Sequence, residues 1–282
     1  MSRFETEHVG DRPENPTVEG RFATRVEIRL PVRRNEKLRQ VIGRVNADDE
    51  LYALWLASNV NAIERLGMTD HGPVHVKIVA NIAVRMLRLL VEADIQPSVV
   101  ETYRMEMDDA EVIVALGALL HDVGMSIHRD DHESFSLFIA REKLGTLLDG
   151  IYDLRERTLV TSEILHAITS HRAGGRPLTL EAGVVRIADA LDMAKGRSRI
   201  PFEAGSLSIH SVSAAAIEGV RIEAGGERPI RLCIEMTNSA GVFQLDQLFR
   251  GKLKGSGLEQ YIEVEAELEG ETEKRLVHSF TF

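Results

Sequence analysis

Between Asn35 and about Met193, apolar residues recur every three or four places, the period of helices buried along one side. Leu51, Leu54, Trp55 and Ala62 form one stripe, with Asp48 or Asp49 placed to cap it. Val76, Val79, Ala80, Ala83, Leu87 and Leu90 form a second, opening after Gly72-Pro73. Val112, Ala115, Leu116, Leu119 and Leu120 form a third, opened by Asp108 and Asp109 and closed by Gly124. Further helices are predicted near 131–147, 154–170 and 181–195. On either side of this stretch the period falls to two, that of strands. Residues 24–30 alternate polar and apolar and stop at Pro31. Residues 219–224 and 230–236 alternate around a Gly225-Gly226 turn, 242–253 suits a short helix, and 261–268 alternates apolar with acidic. The pattern predicts a mainly α chain. A tail over 1–20 precedes an all-helical domain over 21–202, and a small α+β domain follows over 203–282. A lone strand is not stable, so 24–30 is expected to join the C-terminal sheet.

Composition narrows the partners. With 282 residues, 44% hydrophobic and 28% charged, the chain can bury a sizeable core without staples. Its one cysteine, Cys233, excludes an internal disulfide and any multi-cysteine metal cage, and reads as a small core residue. Lys plus Arg number 34 against 44 Asp plus Glu, a formal charge of −10, which weighs against a nucleic-acid partner. Aromatic residues are 5% of the chain, too few for a base-stacking platform. The polar start, Met1 to His8, is no signal peptide, and no apolar run approaches the ~18 residues of a membrane span. A cytoplasmic location away from membranes is expected.

The chemistry concentrates at His121-Asp122, where an apolar helix ends. Neighbouring helical residues point about 100° apart, so their side chains can meet only through something lying between them. Imidazole with carboxylate suits a divalent ion of the Mn, Fe, Zn or Mg type. His75 and Asp189 each sit on another apolar helix, and a buried carboxylate is costly unless paired or metal-bound. Neither a dinucleotide-binding Gly-x-Gly-x-x-Gly after a strand nor a Gly-x-Ser-x-Gly elbow occurs.

In this order, His75, His121-Asp122 and Ala188-Asp189 resemble the HD superfamily of metal-dependent phosphohydrolases, over roughly residues 70–200. The segments His132–Ala140 and Ala167–Gly175 further resemble those that supply extra histidines in two-metal HD hydrolases of symmetrical dinucleoside tetraphosphates. The resemblance implies a ligand set of His75, His121, Asp122, His132, His171 and Asp189 for one or two divalent ions (Mn, Fe, Mg, Zn or Ni). Asp122 would bridge the metals and orient the attacking water. His128 rivals His132, and His166 rivals His171. The implied reaction is hydrolysis of a phosphoester or phosphoanhydride, on a small phosphorylated substrate such as a nucleotide, by a metal-activated water. Lys195, Arg197 and Arg199, with Arg172, Arg176 and Arg129, are candidate phosphate clamps, or else solvated loop cations. Asp70 and His71 read as capping or ring-holding groups, and residues 250–257 as a solvated turn. The same ligands would serve a di-iron oxygenase of the HD type, and a non-catalytic nucleotide-sensing scaffold is the third reading. The role of the C-terminal domain and a homodimeric state are left open.

Overall fold

The structure is a computed structural model that describes residues 25–172, 174–193, 213 and 216–268. The tail over 1–20, the expected boundary near 202, and Lys195, Arg197 and Arg199 lie outside the described residues.

Helices α1 (Glu36–Ala47), α2 (Asp49–Asn59) and α3 (Pro73–Glu92) come first, with a π-helical turn, Val60–Arg65, after α2. There follow α4 (Ser98–Tyr103), α5 (Met107–Leu120), α6 (His132–Leu147), α7 (Leu154–Ser170) and α8 (Leu180–Leu191). Local chemistry sets their starts. Asn35 caps α1 through the Leu38 N–H, Asp48 caps α2 through Leu51, and Thr179 caps α8 through Ala182. Glu106 and Asp109 form a reciprocal capping box at α5, and Asp153 and Glu156 another at α7.

Helix α5 is the centre of the bundle. Every residue from Val112 to Leu120 is buried, so this helix is apolar all round rather than amphipathic. Helices α3, α7 and α8 pack around it, with α1 alongside. Close approach depends on Gly117, where an added Cβ would stand 3.1 Å from Val185 of α8 and 3.2 Å from Ala167 of α7. Each fully buried leucine or isoleucine here contributes about 1.5–3 kcal/mol, so the end of α5 is among the best-anchored backbone in the molecule.

The C-terminal region holds strands β1 (Ile217–Ala224) and β2 (Ile230–Met236), then a π-helical turn (Gln244–Phe249), the short helix α9 (Arg250–Leu253) and strand β3 (Ile262–Leu268). The sheet order is β1-β2-β3, with β1 antiparallel and β3 parallel to β2. Ile230, Leu232, Ile234 and Met236 form its buried face with Ile262, Val264 and Ala266. The sheet leans on α3, where Arg85 Nε donates to the Ile222 carbonyl at 2.7 Å.

Two expectations are corrected. Residues 25–30 are extended but belong to no sheet. The Ile28 N–H donates to Asn46 Oδ1 at 2.8 Å, Asn46 Nδ2 returns a bond to the Ile28 carbonyl at 2.9 Å, and the Val26 N–H donates to the Tyr52 hydroxyl. The alternation was real, with Ile28 buried, but side chains of α1 and α2 satisfy the backbone that a strand partner would have satisfied. Cys233 lies on the wetter face of β2, half-buried, opposite Arg221 and Glu265, and not in the core. Among the described residues no helix is long and apolar enough to cross a membrane.

Candidate metal centre

The His121-Asp122 backbone is fixed before any ligand chemistry begins. The buried Trp55 indole donates to the Leu119 carbonyl at 2.9 Å, Asn61 Nδ2 to the Met125 carbonyl at 2.6 Å, and Ser58 Oγ to the Asp122 carbonyl at 3.4 Å. From the other side Ser136 Oγ donates to the His121 carbonyl and accepts the Gly124 N–H, each at 2.8 Å. Gly124 does not close α5, which ends at Leu120; it lies in a 3-10 turn, Val123–Ser126. Its need for no side chain is steric. An added Cβ would stand 2.1 Å from the His132 carbonyl and 2.5 Å from the Ser136 nitrogen, so only glycine lets α6 come this close.

Four imidazoles and two carboxylates then converge from α3, α5, α6, α7 and α8. Each ring has its Nδ1 held and its Nε2 turned inward. His75 Nδ1 lies 2.6 Å from Asp192 Oδ2. His121 Nδ1 is 2.7 Å from the Ala118 carbonyl, His132 Nδ1 2.9 Å from that of Arg129, and His171 Nδ1 2.6 Å from that of Ile168. For His75, His121 and His171 the acceptor at Nδ1 selects, in the neutral ring, the tautomer with Nε2 as electron-pair donor, as metal-bound histidines require, whereas at His132 Nδ1 the Arg129 guanidinium approaches as closely as the carbonyl. The Asp122 carboxylate divides the set. Its Oδ2 lies 3.5 Å from His75 Nε2 and 3.2 Å from His121 Nε2, while its Oδ1 lies 3.2 Å from His132 Nε2 and 3.6 Å from His171 Nε2. Asp189 Oδ1 faces His75 and His121 at 3.4 and 3.6 Å.

The electrostatics are those of a site built for positive charge. Asp122 is held well below the ordinary carboxylate range: burial opposes its ionisation, but His121, His132 and His75 outweigh burial. Asp189 is also held well below that range, with Lys252 and then His121 and His75 overcoming burial. Burial pushes His121 down, yet Asp122 and Asp189 raise it to about 9. Burial and the neighbouring charge of His121 push His171 down to about 3. Buried carboxylates surrounded by inward-facing imidazoles fit one or two divalent cations. The mixed nitrogen and oxygen donors suit Mn, Fe, Zn or Ni better than Ca.

The two rival histidines are elsewhere. His128 is exposed, its Nδ1 accepting the Asp130 N–H at 3.0 Å. His166 is half-buried, with Nδ1 near Ser170 Oγ and Nε2 accepting the Leu178 N–H at 2.9 Å; burial lowers its pKa. Asp70 accepts the Gly72 N–H at 2.8 Å at the start of α3. His71 is nearer the centre than a capping role needs. Its Nδ1 is 2.7 Å from the Thr69 carbonyl, its Nε2 4.0 Å from Asp122 Oδ2, and its ring 5.5 Å from that of His75. Arg129 lies at the rim, Nη1 2.9 Å from His132 Nδ1. Arg172 is mostly exposed, with Nε 3.4 Å from buried Glu133 Oε1.

Four functional positions escaped the sequence. Asp192, on the side of α8 that bears Asp189, orients His75; its spacing of three from Asp189 was the available signal. Ser136 and Asn61 hold the motif backbone, and nothing in their surroundings in the chain marks them. Residues 250–257 are not merely a solvated turn, because Lys252 Nζ is ion-paired with Asp189 Oδ2.

Comparison with known proteins agrees with this geometry. The HD domain model matches residues 74–194, a segment that contains all six converging donors. A relative from Methanocaldococcus jannaschii, the uncharacterized protein MJ1020, is 45% identical over 214 residues, covering 76% of this chain and 83% of the relative. HD domains bind divalent metals and support hydrolase-type chemistry, and residues 74–194 of this chain are an HD domain.

Proposed function

We propose that the protein is a divalent-metal-dependent phosphohydrolase acting on a nucleotide or another small phosphoester or phosphoanhydride. The observation that carries this reading is the split of one buried carboxylate, Asp122, between two pairs of inward-facing imidazoles. His75, His121, Asp122 and Asp189 would hold one ion, and His132 and His171, sharing Asp122, a second. Divalent ions bound there supply Lewis acidity, activating water and offsetting phosphate charge.

The chain's own residues do the rest. Asp192 and the backbone carbonyls of Ala118, Arg129 and Ile168 keep the four imidazoles aimed inward. Asp122, held well below the ordinary carboxylate range by the surrounding imidazoles, would orient the nucleophilic water. Neutral histidine ligands leave net positive charge for an anionic substrate, and Arg172 and Arg129 stand at the rim to meet it. The histidines His132 and His171 favour the two-metal kind of HD hydrolase, so symmetrical dinucleoside tetraphosphates head the substrate classes.

The test is release of phosphate and nucleoside from mono-, di-, tri- and cyclic nucleotides and dinucleoside polyphosphates, with Mn²⁺ or with chelator. Metal-dependent turnover of one class, falling to background in a folded Asp122→Ala variant, is expected. Turnover that survives Asp122→Ala overturns the assignment of Asp122. No turnover on a metal-loaded sample, with iron bound and oxygen consumed, moves the site to oxygen chemistry.

A further inference from the structure

Lys252 reaches the centre from outside the helical bundle. It sits on α9, in the crossover from β2 to β3, and its ammonium is ion-paired with Asp189 across 63 residues of sequence. It approaches Oδ2, whereas Oδ1 of the same carboxylate faces His75 and His121. Its side chain keeps 20% exposure where that of Asp189 keeps 9%.

The lysine is held in place by a buried arginine. Arg186, one turn before Asp189 on α8, is 1% exposed. Its Nε donates to the Lys252 carbonyl at 2.7 Å and its Nη2 to that of Gly251 at 3.3 Å. Its Nη1 donates to the carbonyls of Arg172 and Gly175 at 2.6 and 2.7 Å. Burying a guanidinium is unfavourable unless its N–H groups find acceptors, and here the acceptors belong to two segments at once. The one side chain thus ties α9 to the loop that follows His171. One turn earlier, an added Cβ at Gly183 would stand 2.4 Å from the Ser256 carbonyl, so glycine is what lets the segment after α9 lie on α8.

We propose that Lys252 binds the phosphate of the substrate, supplied to the metal centre by the C-terminal region, and that Arg186 is the positioning residue that keeps it there. The assignment rests on the phosphohydrolase reading. A carboxylate engaged by divalent ions has less charge to offer an ammonium. The three N–H donors of Lys252, on a flexible and partly exposed stem beside Asp189, are then available to phosphate oxygens.

The test measures inorganic phosphate binding to the Mn²⁺-loaded full-length protein, and Mn²⁺ binding itself, by calorimetry. Lys252→Met should weaken phosphate about tenfold or more, the size of one charge-assisted hydrogen bond. Lys252→Arg should keep most of the affinity. Mn²⁺ affinity should be unchanged or higher in Lys252→Met, since the competing ammonium is gone. Arg186→Lys should weaken phosphate in the wild-type background and add nothing in the Lys252→Met background, which a purely structural role would not produce. Wild-type phosphate binding that Lys252→Met leaves within twofold overturns the assignment and spares the hydrolase reading. A large loss of Mn²⁺ affinity in Lys252→Met also overturns it, by making the lysine part of the metal site's scaffold. A wild type that takes up Mn²⁺ but neither binds phosphate nor turns over a nucleotide overturns the hydrolase reading, and this assignment with it.

Discussion

The two halves of the centre are built differently. On the Oδ2 side of Asp122, two carboxylates face His75 and His121, a third carboxylate, Asp192, backs His75, and Lys252 closes the outer edge. On the Oδ1 side, His132 and His171 share one carboxylate oxygen, and backbone carbonyls hold both rings. The first half is rich in negative charge, and the metal-free protein balances it with a proton on His121 and the ammonium of Lys252. The second half is closer to neutral, its His171 kept uncharged by burial and by the charge on His121. The first half also has one donor group more than the second, and affinity for a divalent ion follows charge. If the centre takes two ions, as proposed, the first half is expected to be the tighter site, coupled to the second through Asp122.

The largest expected effect comes from removing a ligand on either side. His75→Ala should empty the first half and, through Asp122, weaken the second. His132→Ala should leave one tightly held ion per chain. Metal counting by plasma mass spectrometry after dialysis separates these outcomes, and equal loss of both ions in the two variants would erase the distinction. Next in size is Asp192→Asn, which keeps the shape but weakens the hold on the His75 ring. Partners of this kind are worth about 10–100-fold in metal affinity. That loss should fall on the tighter ion alone in a two-step titration. The smallest change, taken per unit, is that of pH, no more than about tenfold for one displaced proton. His121 is raised from 6.5 to about 9 in the metal-free protein. Its proton stabilises that form fully below pH 6.5, and the stabilisation is lost as pH climbs through about 9. An ion entering the first half must displace this proton. Affinity there should rise with pH across the same interval, with proton release visible in buffers of different ionisation enthalpy. In the second half His171, with pKa about 3, carries no proton to displace over that interval.

Much of this was legible in the chain because it is carried by local pattern. The stripes that predicted helices after Gly72-Pro73 and after Asp108-Asp109 correspond to α3 and α5, and the spacing of His75, His121-Asp122 and Asp189 on apolar helices marked the donors. Histidines 132 and 171 came only through resemblance, since nothing in their own surroundings separates them from His128 and His166. What separates them is burial and ring orientation: His132 and His171 are buried with Nε2 inward, while His128 is exposed and His166 bonds the Leu178 N–H. The strand expected at 24–30 shows the converse. Alternation encodes an extended segment with one buried face, but whether its backbone bonds go to a sheet or to Asn46 and Tyr52 is a matter of what packs beside it.

By itself the sequence determined the helices, the alternating C-terminal strands and the donors that stand within local motifs, because caps, period and charge act over a few residues. Only the tertiary structure decided which oxygen of Asp122 meets which ring, which carboxylate backs His75, and that Lys252 reaches Asp189. Those contacts join α3 to α8 and α8 to α9, across 117 and 63 residues. Ångström-scale convergence of that kind follows from the packing around α5 and the carbonyls gathered by Arg186, neither of which has a period or a spacing to be read along the chain.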